Sequence, residues 1–267
     1  MLHAERVSPA LGAEIHGHGR KPERYAGHRA AVQDGHRAPG RPLDLVRLGQ
    51  SLGTLGARHH SYVTHRDSDD VVVLTWQGDD KPDAAEWHSD MTYRAEPPFA
   101  SILQGIEIPP VGGDTLWASM HSVYDTLSDG LKSELAELEV VHDMGAFPQR
   151  CVCRWWQSGD RRRHGSSRHG GASGGHHPVS GRPYLNVSES FTRWIIGMSA
   201  PESARLLTML FDTINRPEHH VRLRWQPNTI AIWDNRGTQH YAVVDYLPHR
   251  RVMHRVAVAT DRRAPKP

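Results

Sequence analysis

Two residues of one tripeptide, His88 and Asp90 in Trp87-His-Ser-Asp90, and a third more than half the chain further on, His240 in Gln239-His-Tyr-Ala242, constrain the fold more than any other feature. Two neutral imidazoles and one carboxylate suit a divalent iron that keeps three positions open. For these groups to meet, the fold must lay remote segments side by side. Residues two apart on a β-strand share a face, so the spacing predicts His88 and Asp90 on one strand with Ser89 turned away. The third ligand then arrives from another strand. With 20 histidines in 267 residues a His-X-Asp tripeptide also arises by chance, so on its own it does not make a metal site.

Strand signals run through the rest of the chain. Val71-Val-Val-Leu-Thr-Trp76, Ala100 to Ile108, Val221-Arg-Leu-Arg-Trp225, Thr229-Ile-Ala-Ile-Trp233 and Val252 to Ala259 are short β-rich runs bounded by Gly, Pro, Asp or Asn. Two helices are expected. Val123, Leu127, Leu131, Leu135 and Leu138 recur at four- and three-residue steps, and Ser199-Ala-Pro-Glu202 is a capping box ahead of Leu206, Leu207, Leu210, Phe211 and Ile214. Most of the eight tryptophans are expected in packing, with Trp87 and Trp233 near the metal only because they adjoin its ligands.

Beyond His240 the run Arg251-Val-Met-His-Arg-Val-Ala-Val258 places two arginines at the same parity, so on one strand both face the same way. A guanidinium fork grips a carboxylate through two parallel bonds, which suits a dicarboxylate co-substrate such as 2-oxoglutarate. The plain alternative is a solvated basic edge, because arginine is mostly exposed.

The order Trp87-His-Ser-Asp90, Gly112-Gly-Asp-Thr-Leu-Trp117, His177-Pro-Val-Ser-Gly181, Trp225-Gln-Pro-Asn228, Ile232-Trp-Asp-Asn-Arg236, Gln239-His-Tyr-Ala242 and Asp245 to Arg255 resembles the 2-oxoglutarate-dependent taurine dioxygenase family, over roughly residues 43–148 and 176–262. The resemblance implies a mixed, mainly β fold: a double-stranded β-helix, or jelly-roll, core with flanking α-helices in a single domain. It implies Fe(II) held by His88, Asp90 and His240, with 2-oxoglutarate and O2 as co-substrates. It matches Thr115 and Arg251 to the residues that hold the distal carboxylate of 2-oxoglutarate, and Arg255 to the arginine that receives the sulfonate of taurine. Counting without a gap from the nearest ligand, His59 and Tyr62 fall on further taurine contacts and Phe191 on an aromatic pocket wall. Phe147 matches another wall at the cost of one deleted residue. Ala84 departs from the family, which carries asparagine there near the amino end of the substrate.

The chemistry so implied is hydroxylation of a small sulfonate at the carbon bearing sulfur, releasing sulfite and an aldehyde with succinate and CO2. The cofactor carries the chemistry and the protein orients it. Asp90 favours hydroxylation, since halogenating relatives have a small residue there. Ala84 motivates a second reading, the same chemistry on an alkyl sulfate ester or another small anion. A third reading, from another class, is a catalytically silent or degenerate iron-binding protein.

At 267 residues the chain is long enough to bury a real core, and a net charge of +2 gives no electrostatic argument for nucleic acid or membrane partners. No stretch approaches the roughly 18 apolar residues of a spanning helix, and Met1-Leu-His-Ala-Glu5 lacks a secretory apolar region, so a cytoplasmic protein is expected. Family relatives form dimers or tetramers, which makes a homo-oligomer an open expectation. Cys151 and Cys153 are too few for a disulfide framework or a complete structural zinc site.

Two stretches depart from this pattern. Residues 17–42 hold only Tyr25 and Val32 as sizeable apolar groups, and 157–177 are almost wholly Gly, Ser, Arg and His. Neither can bury enough apolar surface to offset the entropy of ordering, so both are expected to be irregular. Their composition is what shifted frames of GC-rich genes tend to encode, and the flanking segments resume the family pattern.

Overall fold

A computed structural model describes residues 3–6, 13–16, 31–33, 42–56, 62–80, 82, 85–94, 96–143 and 176–261, the first three stretches by backbone alone. The elements in chain order are β1 (His3–Arg6), β2 (Ala13–His16), β3 (Ala31–Gln33), α1 (Pro42–Leu52), β4 (Thr64–His65), β5 (Ser68–Trp76), β6 (Ala100–Glu107), β7 (Thr115–Ser119), α2 (Met120–Thr126), α3 (Asp129–Ala136), β8 (Val140–His142), β9 (Thr192–Ile195), α4 (Ala200–Ile214), β10 (His220–Leu223), β11 (Ile230–Asp234), β12 (Thr238–Ala242) and β13 (Arg251–Val258). A 3-10 turn, Pro217–His219, leads into β10. The fold is mainly β. An eight-stranded sheet runs β1-β2-β3-β11-β6-β13-β5-β4, a three-stranded sheet runs β10-β7-β12, and β8 pairs with β9. All pairs are antiparallel except β2 with β3.

The period-two alternation of each strand separates the layers. Val72, Leu74, Leu103, Ala231, Trp233 and Met253 face inward from the large sheet and pack with Trp117 of β7, joining the two sheets. Val71, Ile102, Ile230, Val256 and Val258 point the other way and bury Leu45 and Val46 of α1. On the far side of the small sheet, Ala118 packs with Val123, Leu135, Leu207, Leu210 and Ile214 of α2, α3 and α4. Strands β5, β6, β11 and β13 are thus apolar on both faces, and their inner face meets the small sheet where the pocket opens.

The helical expectations hold with one correction. The capping box at Ser199 and Glu202 opens α4 as its sequence pattern predicts. The leucine repeat from Val123 to Leu138 is two helices, not one. Leu127 leaves helical backbone, and Ser128 starts a new N-cap whose hydroxyl accepts from Leu131 N–H at 3.3 Å. A serine side chain that caps competes with continued helix, and here it wins over the apolar period. A second correction concerns residues 17–42. Ala31–Gln33 forms a strand between β2 and β11, and Pro42 opens α1 at a position where its missing N–H costs nothing. Other residues of 17–41, and 157–175, lie outside the described residues, as do Cys151 and Cys153.

Candidate functional site

His240 sits at the middle of β12 opposite Trp117 of β7, so it shares the inward parity of that tryptophan while Tyr241 faces the helices. His88 forms an isolated bridge with His240. His88 N–H donates to His240 O at 3.1 Å, and His240 N–H donates to His88 O at 2.8 Å. The strand expected to continue through Asp90 stops there. Met91 adopts φ of +54°, and Arg94 N–H closes the turn onto Met91 O at 3.0 Å. Ser89 is nonetheless turned from the pocket, its hydroxyl donating to Thr238 O at 2.6 Å. Asp90 therefore reaches the site from a turn rather than a strand, because a left-handed residue at position 91 bends the chain.

The ligand atoms of His88, Asp90 and His240 lie within 4.8 Å of one another, all three residues are buried, and the group could hold a metal ion. His88 Nδ1 is 2.8 Å from the carbonyl of Glu86, which makes that nitrogen the donor and leaves Nε2 with its lone pair toward the cluster. His240 presents Nε2 at 3.9 Å from Asp90 Oδ1. Burial, added to the neighbouring His88, pushes the His240 pKa down to about 3, and burial lowers that of His88 as well. Burial alone would raise Asp90, yet the Arg255 guanidinium beside it holds its carboxyl well below the usual carboxylate range. Two neutral imidazoles and one anion are the protonation states a divalent metal requires.

The same pocket brings in the arginines. Arg251 and Arg255 both line it, as their shared parity on β13 predicts. Arg251 is 2 % exposed, and its guanidinium carbon lies about 6 Å from each of three rings, at 6.0 Å from Trp76, 6.0 Å from Trp225 and 5.8 Å from Tyr246. Its Nε is buried without a hydrogen-bond partner, and among the described residues no carboxylate pairs with it. Asp114, which adds an attractive charge nearby, is engaged by Arg222 at 2.6 Å. Thr115 stands beside Arg251, Nη2 to Oγ1 being 3.5 Å, and its hydroxyl accepts from Trp225 Nε1–H at 2.9 Å. The turn before Thr115 needs glycine. Gly112 has φ of +77°, and a Cβ there would sit 2.4 Å from Asp245 Oδ1, which accepts from Gly113 N–H at 2.8 Å.

Tyr62 lies under Arg255, ring to guanidinium 5.5 Å, and Phe191 meets His88 edge to face at 6.1 Å between centroids. Both line the pocket. His59, Ala84 and Phe147 lie outside the described residues. Trp233 is on the pocket wall, 4.8 Å from the His240 ring, whereas Trp87 turns into the helical core and donates to Asn215 Oδ1 at 2.7 Å. Sequence reasoning passed over Glu86 and Ser190 on the wall, and over Trp225 as the partner of Thr115. Glu86 stands two residues before His88, so the motif itself was the available signal.

Two packed sheets thus carry one carboxylate and two histidines that could hold a metal ion in the same pocket as the buried Arg251. The model of the taurine catabolism dioxygenase TauD, TfdA family matches residues 23–257, and the chain belongs to that family. An alkylsulfatase of Acinetobacter baylyi is 36% identical over 187 residues, 67% of this chain and 57% of the relative. An alpha-ketoglutarate-dependent sulfonate dioxygenase of Saccharomyces cerevisiae is 31% identical over 235 residues, 85% of this chain and 54% of the relative. These matches span little more than half the length of either relative. The crystal structure of a taurine dioxygenase from Burkholderia xenovorans superposes with a TM-score of 0.77 at 27% identity, covering 97% of this chain and 91% of that one. No helix among the described residues is long and apolar enough to cross a membrane.

Proposed function

We propose that this chain is an Fe(II)- and 2-oxoglutarate-dependent dioxygenase that hydroxylates a small sulfonate such as taurine. The observation that carries the reading is Arg251, a buried cation without a carboxylate partner among the described residues, in the same pocket as the His88, Asp90 and His240 cluster. An unpaired buried charge is costly, so such an arginine is best explained by an anion that arrives from solution. We read the eight-stranded and three-stranded sheets as the two halves of a double-stranded β-helix with the site between them.

The residues divide the work. His88, Asp90 and His240 hold the metal, and the Glu86 carbonyl fixes the His88 tautomer. Arg251 and Thr115 bind the distal carboxylate of 2-oxoglutarate, the arginine through its planar fork. Arg255 and Tyr62 take the sulfonate, and Leu74, Leu103, Met91 and Phe191 present apolar walls that exclude water. When bound, Fe(II) with O2 and the keto acid supplies oxidative decarboxylation coupled to C–H hydroxylation. Hydroxylation at the carbon bearing sulfur then gives sulfite and an aldehyde.

Sulfate esters are the second reading, favoured by the similarity to the Acinetobacter alkylsulfatase. Glu86 separates the two, because a carboxylate on the pocket wall suits an ammonium end and offers nothing to an alkyl chain. Anaerobic titration with Fe(II) and 2-oxoglutarate should give the weak visible charge-transfer band of the chelate. Succinate release is then compared across taurine, alkylsulfonates and alkyl sulfates, in wild type and Glu86→Gln. Taurine preferred by wild type and no longer by the variant supports the aminosulfonate. Alkyl sulfates preferred by both favour the ester, and the absence of band and succinate overturns the dioxygenase.

A further inference from the structure

Ser101 and Asn235 take no part in the division of work above, yet a directional chain of hydrogen bonds joins them to the metal cluster. Ser101 lies on β6 directly opposite Trp233 of β11, and Asn235 follows β11 in the turn toward β12. Trp233 Nε1–H donates to Asn235 Oδ1 at 2.8 Å. An indole nitrogen only donates, so this bond fixes which end of the Asn235 amide is oxygen. Its Nδ2 then donates to Ser101 Oγ at 3.2 Å and to the Pro98 carbonyl at 3.3 Å. Having accepted there, Ser101 directs its own hydrogen to Asp90 Oδ2, 2.5 Å away. Every member is buried, from Ser101 at 0% exposure to Asp90 at 6%.

We propose that Ser101 and Asn235 are positioning residues for the metal: their relay occupies Asp90 Oδ2 and leaves Oδ1 as the one carboxylate donor atom. Oδ1 is the oxygen that faces His240 Nε2 at 3.9 Å; it also accepts from Arg255 Nη1 at 3.2 Å, and its second lone pair is the one the cluster needs, so the relay and Arg255 together set the rotation of the carboxylate. A single-atom carboxylate ligand keeps a coordination position free for the co-substrates, whereas both oxygens on the metal would consume it. Mutual satisfaction alone would hold the turn, but the Asn235 backbone already does so by donating to Phe99 O at 2.7 Å. The proposal rests on the reading of His88, Asp90 and His240 as a metal centre.

Anaerobic Co(II) titration of the full chain, followed by calorimetry and by visible d–d absorption, tests it without turnover. Ser101→Ala removes the donor to Oδ2. Asn235→Asp keeps the shape but replaces a donor by an acceptor, so the Ser101 hydrogen is drawn away from Asp90. Both should bind Co(II) roughly ten- to hundredfold more weakly, the usual effect of losing a hydrogen-bonding partner behind a metal ligand. Both should also change the d–d band, and Ser101→Thr, which retains the hydroxyl, should return affinity and band toward wild type. Urea unfolding of the metal-free proteins identifies a variant that has lost its fold, and Asn235→Asp decides if Ser101→Ala does not fold. Folded variants with wild-type affinity and band overturn the relay and leave the metal centre standing. A wild-type chain that takes up no Co(II) overturns both.

Discussion

Arg255 Nη1 lies 3.2 Å from Asp90 Oδ1, so the guanidinium proposed for the substrate anion touches the carboxylate proposed for the metal. Arg251, four residues earlier on the same strand, touches no carboxylate among the described residues. The two cations therefore differ in what their removal uncovers. Losing Arg251 removes the cation of the proposed anion site beside Thr115, whereas losing Arg255 removes a neighbour that keeps Asp90 ionised.

From this difference, Arg251→Ala should weaken 2-oxoglutarate and Arg255→Ala should raise the KM for the sulfonate more than it weakens the co-substrate. Charge-assisted bonds lost in a partly buried site cost about 1.5–3 kcal/mol, or roughly ten- to hundredfold. Lysine should rescue neither in full, because it lacks the planar fork. Titration of the charge-transfer band and initial rates of succinate release measure the two ligands separately. Equal losses of both ligands in both variants would contradict the assignment.

Asp90→Ala and His240→Ala each remove one of three protein ligands, and the remaining pair cannot hold a labile divalent ion in fixed geometry. Substrate-dependent succinate should fall below detection in both, and Co(II) affinity should fall with it. Near-normal turnover in either variant rejects the cluster as the metal centre.

How much of this was legible depends on where the information lies. The donor set and the shared parity of Arg251 and Arg255 are chemistry written in side chains and strand period, and the fold brings all five into one pocket. The bend at Met91 was not legible, because a positive φ at methionine has no sequence signature of the kind glycine gives. The break at Ser128 was masked by leucines that keep helical spacing across two helices. Ser101 and Asn235 gain meaning only from partners brought close by sheet register, so neither residue stands out alone. The strand at Ala31–Gln33 arises in a stretch too polar to announce it, supported by β11 and β2 on either side.

Acid stability should report a buried histidine outside the proposed ligand set. His142 is 1% exposed, its Nδ1 lies 3.0 Å from Thr92 Oγ1, and burial lowers its pKa to about 4 against the opposing bond to the Asn186 backbone. The unfolded chain takes up this proton near pH 6.5 and the folded chain only near pH 4, so its contribution is present above pH 6.5 and is lost as pH falls toward 4. The difference amounts to at most about 3 kcal/mol. Urea unfolding at pH 7 and pH 4.5 should show a steeper acid loss in wild type than in His142→Gln. Identical pH dependence in the two would mean that His142 is protonated without cost in the folded state.

Trp225 offers the sharpest test of how the co-substrate end is built. Its Nε1–H donates to Thr115 Oγ1 at 2.9 Å, and Arg251 Nη2 approaches the same oxygen at 3.5 Å. Both neighbours are donors, so the threonine's own hydrogen is directed to an acceptor, and a carboxylate beside Arg251 is the acceptor the proposed function supplies. Trp225→Phe keeps an aromatic ring against Arg251 but removes the N–H that orients the hydroxyl. A neutral hydrogen bond contributes about 1 kcal/mol, so 2-oxoglutarate should bind roughly fivefold more weakly. The sulfonate KM should change less, since Arg255 bonds Asp90 at 3.2 Å whereas Trp225 bonds Thr115. Unchanged 2-oxoglutarate affinity in a folded Trp225→Phe protein would show that the Thr115 hydroxyl is oriented by the ligand itself.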